Sequence, residues 1–340
     1  MRRLLILTLG VLAVIVAADA MWWRSAERAL AKGLATQMQG ARTAGWSVMN
    51  SVPVSGGWPF AATLTVGDLL LSGGGIAWSA DRLVLQTSLW HPLMLSVESE
   101  GMQRLRVGAW PEIPYTADTL RALVPLQAGV PPRGFSVHMV NLRVGLGEAA
   151  SNSLTVRGLD LQAHWTPAAQ QNEAAVAASL QAQDVSLPAA PFGAWPFGSA
   201  VAHLSADFAL SGPLGRVKDL ADRAVAWRDA GGTLDVKRLA VEWGGLDVTL
   251  GATLALDEQL QPMGAGTLHV IDPTAALDGL RETGVLPDRA AFAARALLAL
   301  MIKPAASGEK SAIDLPFTLQ DRRLSISRYG VLRLPHLALP

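Results

Sequence analysis

Leu246-Asp247-Val248-Thr249-Leu250-Gly251-Ala252-Thr253-Leu254-Ala255-Leu256-Asp257 decides the fold class. Leu246, Val248, Leu250, Ala252, Leu254 and Leu256 fall at every second position, with Asp247, Thr249, Gly251, Thr253, Ala255 and Asp257 between them. Successive side chains on a strand point to opposite faces, so this run reads as one long half-buried strand and not as an amphipathic helix. Outward from it, the same alternation puts Ala202, Leu204, Ala206, Phe208 and Leu210 on one strand face, and Val176, Ala178, Leu180 and Ala182 on another. The phase slips after Val156 within Ser153 to Trp165, and after Val236 within Thr233 to Trp243, as it does where bulges bend long strands. The expected fold is mainly β: long curved antiparallel sheets with a few short helices, preceded by one N-terminal transmembrane helix.

The helices read as insertions. Asp272-Pro273 is an N-cap and first-turn pair for a short helix through Glu282, with Gly284 just past its end. A second helix is expected from Pro287 or Asp288 to before Pro304, apolar nearly all round from Ala290 to Ile302, and a third over Ala117 to Val124. Polar loops are expected at Ala168 to Glu173 and at Ala305 to Ser311.

At the N-terminus, Leu4 to Trp23 is apolar with Asp19 its only charge, long enough to cross a hydrocarbon core of roughly 30 Å. Arg2 and Arg3 precede it, and positive charge stays on the cytoplasmic side, so the rest of the chain is expected to be exported. Ala18-Asp19-Ala20 has the form of a signal-peptide cleavage site, so a retained anchor and a cleaved signal both remain open. The organisation this implies is an anchor over residues 1–23, a stalk helix over 24–44 carrying Leu30, Leu34 and Met38, and a β-rich exported region over 45–340. Trp-Pro-Phe at 58–60 and again at 195–197, each followed by Leu-Ser-Gly, suggests two similar halves, 45–190 and 191–340. The expected location is the inner membrane, crossed once, with the C-terminal domain in the periplasm.

Composition excludes several functions. The 28 basic and 28 acidic residues cancel, so nothing draws the chain to nucleic acid. There is no cysteine for disulfides, thiolate catalysis or thiolate metal sites. The six histidines lack any metal-ligand spacing, and neither a nucleophile elbow nor a phosphate loop is present. Ser307-Gly308-Glu309-Lys310 has the SxxK form without its usual partner motif, and Glu98 with Glu100 reads as a solvated pair at a sheet edge. No catalytic residue, metal or cofactor is expected, and the chain reads as a non-enzyme.

Gly57-Trp58-Pro59-Phe60, the tract Trp243 to Pro273, and Asp314 to Pro335 resemble an uncharacterised bacterial family carrying a domain of unknown function. Arg322 stands where that resemblance expects glycine after Asp321. The resemblance implies single-span periplasmic proteins distantly similar to AsmA-type envelope proteins, whose groove-forming sheets are associated with phospholipid handling. Two classes of function follow. One is phospholipid binding or transfer on an apolar sheet face, with Leu204, Phe208, Leu250 and Leu254 as candidate lining. The other is a structural or assembly role with another envelope protein. Among the eleven tryptophans, Trp22 and Trp23 suit the membrane interface and Trp58 suits either that interface or a groove mouth. Trp46, Trp78, Trp90, Trp165, Trp227 and Trp243 read as core or strand-end residues.

Overall fold

The computed structural model describes residues 2–108, 110–127, 132–146, 152–167, 169–171, 173–189, 194–214, 220–284, 288–289, 291–292, 295, 298, 311–326 and 329–337. The chain divides into two compact units, Met1–Ala150 and Ser151–Pro340. Both are antiparallel β structures, as the alternation requires.

The first unit opens with α1 (Arg2–Thr43), which joins the apolar N-terminal run and the stalk in one helix. It ends in a Schellman cap: Gly45 takes φ 89°, its N–H donates to Arg42 O, and the N–H of Trp46 donates back to Ala41 O. Then come β1 (Ser47–Met49), β2 (Val54–Gly56), β3 (Ala61–Gly73), β4 (Ile76–Ser88), β5 (Met94–Val107), β6 (Ile113–Thr116), β7 (Thr119–Pro125) and β8 (Gly134–Gly145). Strand β3 pairs with β1, β2 and β4, β4 pairs with β5, and β5 passes the sheet on to β6 and β7, both of which pair with β8.

Here the core lies between helix and sheet. Trp23, Ala26, Leu30, Leu34 and Met38, three or four residues apart, form one stripe of α1 against Ala62, Leu64, Val66, Leu83, Leu85, Leu95 and Val97. The earlier part of the same helix has no such cover, and from Leu9 to Val16 its large apolar side chains stay 46% to 69% exposed. Among the described residues it is the one helix long and apolar enough to cross a membrane.

The second unit holds β9 (Ser153–Trp165), β10 (Ala174–Ser186), β11 (Ala200–Ser211), β12 (Thr233–Trp243), β13 (Leu246–Leu256), β14 (Pro262–Ile271), β15 (Ala312–Gln320), β16 (Arg323–Ile326) and β17 (Tyr329–Arg333). Each pairs with the next in chain order, a simple antiparallel meander. Helix α2 (Leu220–Asp229) lies between β11 and β12, and α3 (Pro273–Glu282) follows β14. The Asp272 carboxylate caps α3 by accepting the N–H of Ala275, with Pro273 in the first turn, as its sequence implies.

Several sequence expectations need correction. Ala117 to Val124 is not a helix: most of it is β7, because pairing on both sides with β5 and β8 overrides a local pattern rich in helix formers. Glu98 and Glu100 lie on an interior strand and not on an edge, facing Arg121 at 2.7 Å and Arg82 at 3.2 Å respectively. The helix expected from Pro287 lies largely outside the described residues, although Asp288, Arg289, Ala291, Phe292, Arg295 and Leu298 are helical. Ser307 to Lys310 lies outside them altogether.

Both expected phase slips are present. At Val236 one extra residue is inserted, and Lys237 and Arg238 together face Gly251. At Val156 the device differs, since β9 and β10 slip together without losing register: Asp184, opposite Arg157, adopts φ 50°. Left-handed backbone costs most L-residues about 1–2 kcal/mol but suits Asp and Asn. Asp68 in β3 and Asn141 in β8 use the same conformation. Asn141 donates to Asp118 at 2.7 Å, and this bond, with Arg143 nearby, holds the Asp118 carboxyl below its usual range.

Asp184→Val is expected to lower the unfolding free energy by about 1–2 kcal/mol, with Asp184→Asn near wild type, as read by chemical denaturation. Equal losses in the two variants would assign the effect to the exposed Arg157 ion pair instead of the backbone.

Candidate functional site

The register of the second unit builds one continuous apolar face. Opposite residues on paired strands share a face, so the pairs can be followed from strand to strand. Beginning on β9 and ending on β15, Leu159, Ala182, Leu204, Val241, Val248, Val270 and Ile313 form one cross-strand row. The next is almost all leucine: Leu161, Leu180, Ala206, Leu239, Leu250, Leu268 and Leu315. A third runs Ala163, Ala178, Phe208, Val236, Ala252, Gly266 and Phe317, and a fourth Trp165, Val176, Leu210, Leu234, Leu254, Gly264 and Leu319. Seven strands at about 4.8 Å make this face about 29 Å wide along the sheet.

The reverse face is polar. It carries Asp160, Gln181, Ser205, Thr249, His269 and Asp314 along one row, with the His269 ring 2.7 Å from the Asp314 carboxylate. Thr253 donates to Asp235 at 2.9 Å on the same side.

Both ends of the apolar face are closed. At one end Val156, Val185 and Val201 are buried, and Trp243 packs against Trp195 and Phe197, with ring centroids 6.0 Å and 5.4 Å away. Phe197 also fills the space over Gly279 of α3, while Ala276 of α3 packs with Val270 and Ile313. At the other end Trp227 of α2 is buried over Gly232 and donates its Nε1–H to Ser211 O at 2.9 Å. Between the ends the side chains remain in reach of solvent: Leu204, Leu239, Leu250 and Leu254 are partly exposed, and Phe208 is 38% exposed.

Relief accompanies that exposure. The third row is lower than the leucine row beside it at Ala163 and Ala178 and again at Ala252 and Gly266, with Phe208 and Val236 standing between the two pairs. Phe317 leans across Gly266, so closely that a Cβ there would collide with its ring.

All four candidate lining residues lie on this face: Leu204 in the first row, Leu250 in the second, Phe208 in the third and Leu254 in the fourth. Ala202 does not join them, since β11 slips between Val201 and His203 and leaves Ala202 exposed. Trp22 and Trp23 sit partly exposed where α1 leaves its uncovered stretch, and Trp23 donates to Gly56 O at 3.2 Å. Trp90 is 74% exposed and is no core residue. Trp46 packs on Gly73, and Trp78 donates to the Tyr115 hydroxyl, whose pKa burial raises.

Among the described residues, no three His, Asp or Glu side chains gather into a metal-binding group. The described polar side chains of the second unit sit mainly on the reverse face, and the apolar face offers shape and hydrophobic area in place of reactive groups.

Residues 23–335 match the family model described as "Uncharacterized protein conserved in bacteria (DUF2125)". The chain belongs to this family. The match covers both β units and starts at Trp23, where the helix stripe begins to meet the sheet. No curated protein and no solved structure matches the chain.

Leu250→Asp is expected to destabilise by about 2 kcal/mol or more, because it puts an unpaired charge among Leu239 and Leu268. Thr249→Asp, between Ala240 and His269 on the polar face, should stay within about 0.5 kcal/mol of wild type. Coincident thermal melts of the two variants would refute the assignment of faces.

Proposed function

We propose that this DUF2125 member is a non-enzymatic, single-pass protein of the inner membrane whose periplasmic β domain binds phospholipid acyl chains on the apolar face of its second unit. The observation that carries this reading is the cross-strand apolar surface, closed at both ends and partly exposed between them. A water-exposed apolar surface of this extent is a liability unless something apolar occupies it. An acyl chain is a suitable occupant, since each buried methylene contributes about 0.8 kcal/mol before the entropic cost of binding.

The low stretch at Ala252 and Gly266, beside Leu250 and Leu268 of the leucine row, supports a narrow chain-like ligand over a bulky one. Membrane anchoring supports the same ligand class: α1 is long and apolar enough to span, and Arg2 and Arg3 ahead of it favour an outward-facing domain. A domain tethered in this way works beside a reservoir of the lipid it would bind. The resemblance to AsmA-type proteins points in the same direction.

Photoreactive residues at Leu204, Phe208, Leu250 and Leu254 of the full chain are expected to form phospholipid adducts in native membranes, resolved by mass spectrometry. The same residue at Thr249, on the polar face, should form none. Adducts only to protein at all four sites would reject lipid binding and favour a structural role in which another envelope protein covers the face.

A further inference from the structure

The two Trp-Pro-Phe segments differ in what covers them. In the second unit Trp195 and Phe197 pack on Trp243 and on α3. In the first unit Trp58 is 54% exposed and Phe60 67% exposed. The neighbouring β4–β5 loop adds Trp90, 74% exposed, and Leu93, 65% exposed. The N–H of Leu89 donates to Phe60 O at 3.1 Å, which ties these two loops side by side. Neither the stretch from Gly56 to Ala62 nor that from Ser88 to Leu95 contains an Asp, Glu, Lys or Arg.

Hydrogen bonds fix where this patch lies along the unit. Trp23 donates to Gly56 O at 3.2 Å, and Ser55 donates to the Glu27 carboxylate at 2.7 Å, so the Gly57–Phe60 turn adjoins the start of the stalk. From there α1 runs beside β3 to the opposite end, where Trp46 packs on Gly73. The exposed loops therefore share a level with the point at which α1 leaves its uncovered apolar stretch.

We infer that Trp58, Phe60, Trp90 and Leu93 form a second membrane contact, inserting into the headgroup and upper acyl region of the leaflet from which α1 emerges. This rests on the anchored reading above. Indole and phenyl rings favour that zone, and the lack of Asp, Glu, Lys or Arg in both loops lowers the desolvation cost of entering it. One helix leaves the attached domain free to swivel, whereas a second contact beside it fixes the tilt of the first unit against the bilayer. Trp110 supplies an internal control: it is 71% exposed but lies beyond the far end of β5, one strand length from the patch.

The chain has no cysteine, so single cysteines can be placed without altering a background. In the full chain, reconstituted into phosphatidylethanolamine–phosphatidylglycerol vesicles, bimane attached at Val14, Trp58, Phe60, Trp90, Leu93 or Trp110 is challenged with lipids carrying a doxyl quencher near the headgroup and, separately, with lipids carrying it near the end of the acyl chain, the depth expected of Val14. Loss of fluorescence is expected at Val14 and at all four loop positions, with none at Trp110. Quenching at Val14 and silence at the loops overturns the second contact alone and leaves a protein partner as the occupant of the patch. Silence at Val14 as well removes the anchor and the contact together, and equal quenching at Trp110 also overturns the proposal, because the unit would then lie flat on the membrane.

Discussion

Residues opposite one another on paired strands must point the same way, so an apolar face many strands wide survives only while every strand keeps phase with its neighbours. In the second unit that constraint governs β9 to β15. When β9 slips at Arg157, β10 slips opposite it at Asp184 and β11 slips at Ala202. Val156, Val185 and Val201 therefore stay inward on one side of the slip, and Leu159, Ala182 and Leu204 on the other. A slip confined to one strand would have carried its leucines to the polar face. The first unit meets the same requirement with Asp68 at φ 49° in β3 and a bulge in β5 around Gly101 and Met102, where the N–H of Met102 donates to Asp81 at 2.8 Å.

Alternation made most of this legible. The run from Leu246 to Leu256, the shared face of Leu204 and Phe208, and the slips at Val156 and Val236 could all be read without knowing which strands pair. What alternation cannot carry is partner information. Ala117 to Val124 spaces Leu120, Leu123 and Val124 as a helix would, and only its pairing with β5 and β8 makes it a strand. Trp90 and Trp243 look alike as strand-end tryptophans, yet one is bare and the other is enclosed by Trp195 and Phe197. Ala-Trp follows the Trp-Pro-Phe and Leu-Ser-Gly segments in each half, at 77–78 and 226–227, but the first pair lies in strand β4 and the second in helix α2, so they are not equivalent positions. Arg322 in place of glycine did not abolish its turn: Asp321 and Arg322 take φ 50° and 62° and still connect β15 to β16 as a two-residue hairpin.

Both units make sheets with an apolar face, and each disposes of that face differently. In the first, the stripe from Trp23 to Met38 lies along it, and Ala62, Leu64 and Val66 are all but inaccessible. In the second, α2 and α3 close the ends while Leu250, Leu254 and Phe208 between them keep solvent contact. Leu298, in the helical segment beyond α3, joins Ala276 in packing on Val270, Ile313, Leu268 and Leu315, so the described cover of this face lies over β13 to β15.

A face that keeps solvent contact could still be a flat patch, but the residues in its rows argue otherwise. Leucine fills nearly every position of the second row, whereas the third has two short low stretches, Ala163 with Ala178 and Ala252 with Gly266, separated by Phe208 and Val236. Selection for a dry core would fill such depressions, because each missing methylene costs packing. A protein–protein seam would be expected to gather aromatic anchors at its centre inside a polar rim. Here the aromatic residues Trp165, Trp227, Trp243 and Phe197 stand toward the ends, and among the described residues the middle rows are aliphatic apart from Phe208 and Phe317. That distribution supports the proposed hydrocarbon ligand over a protein partner.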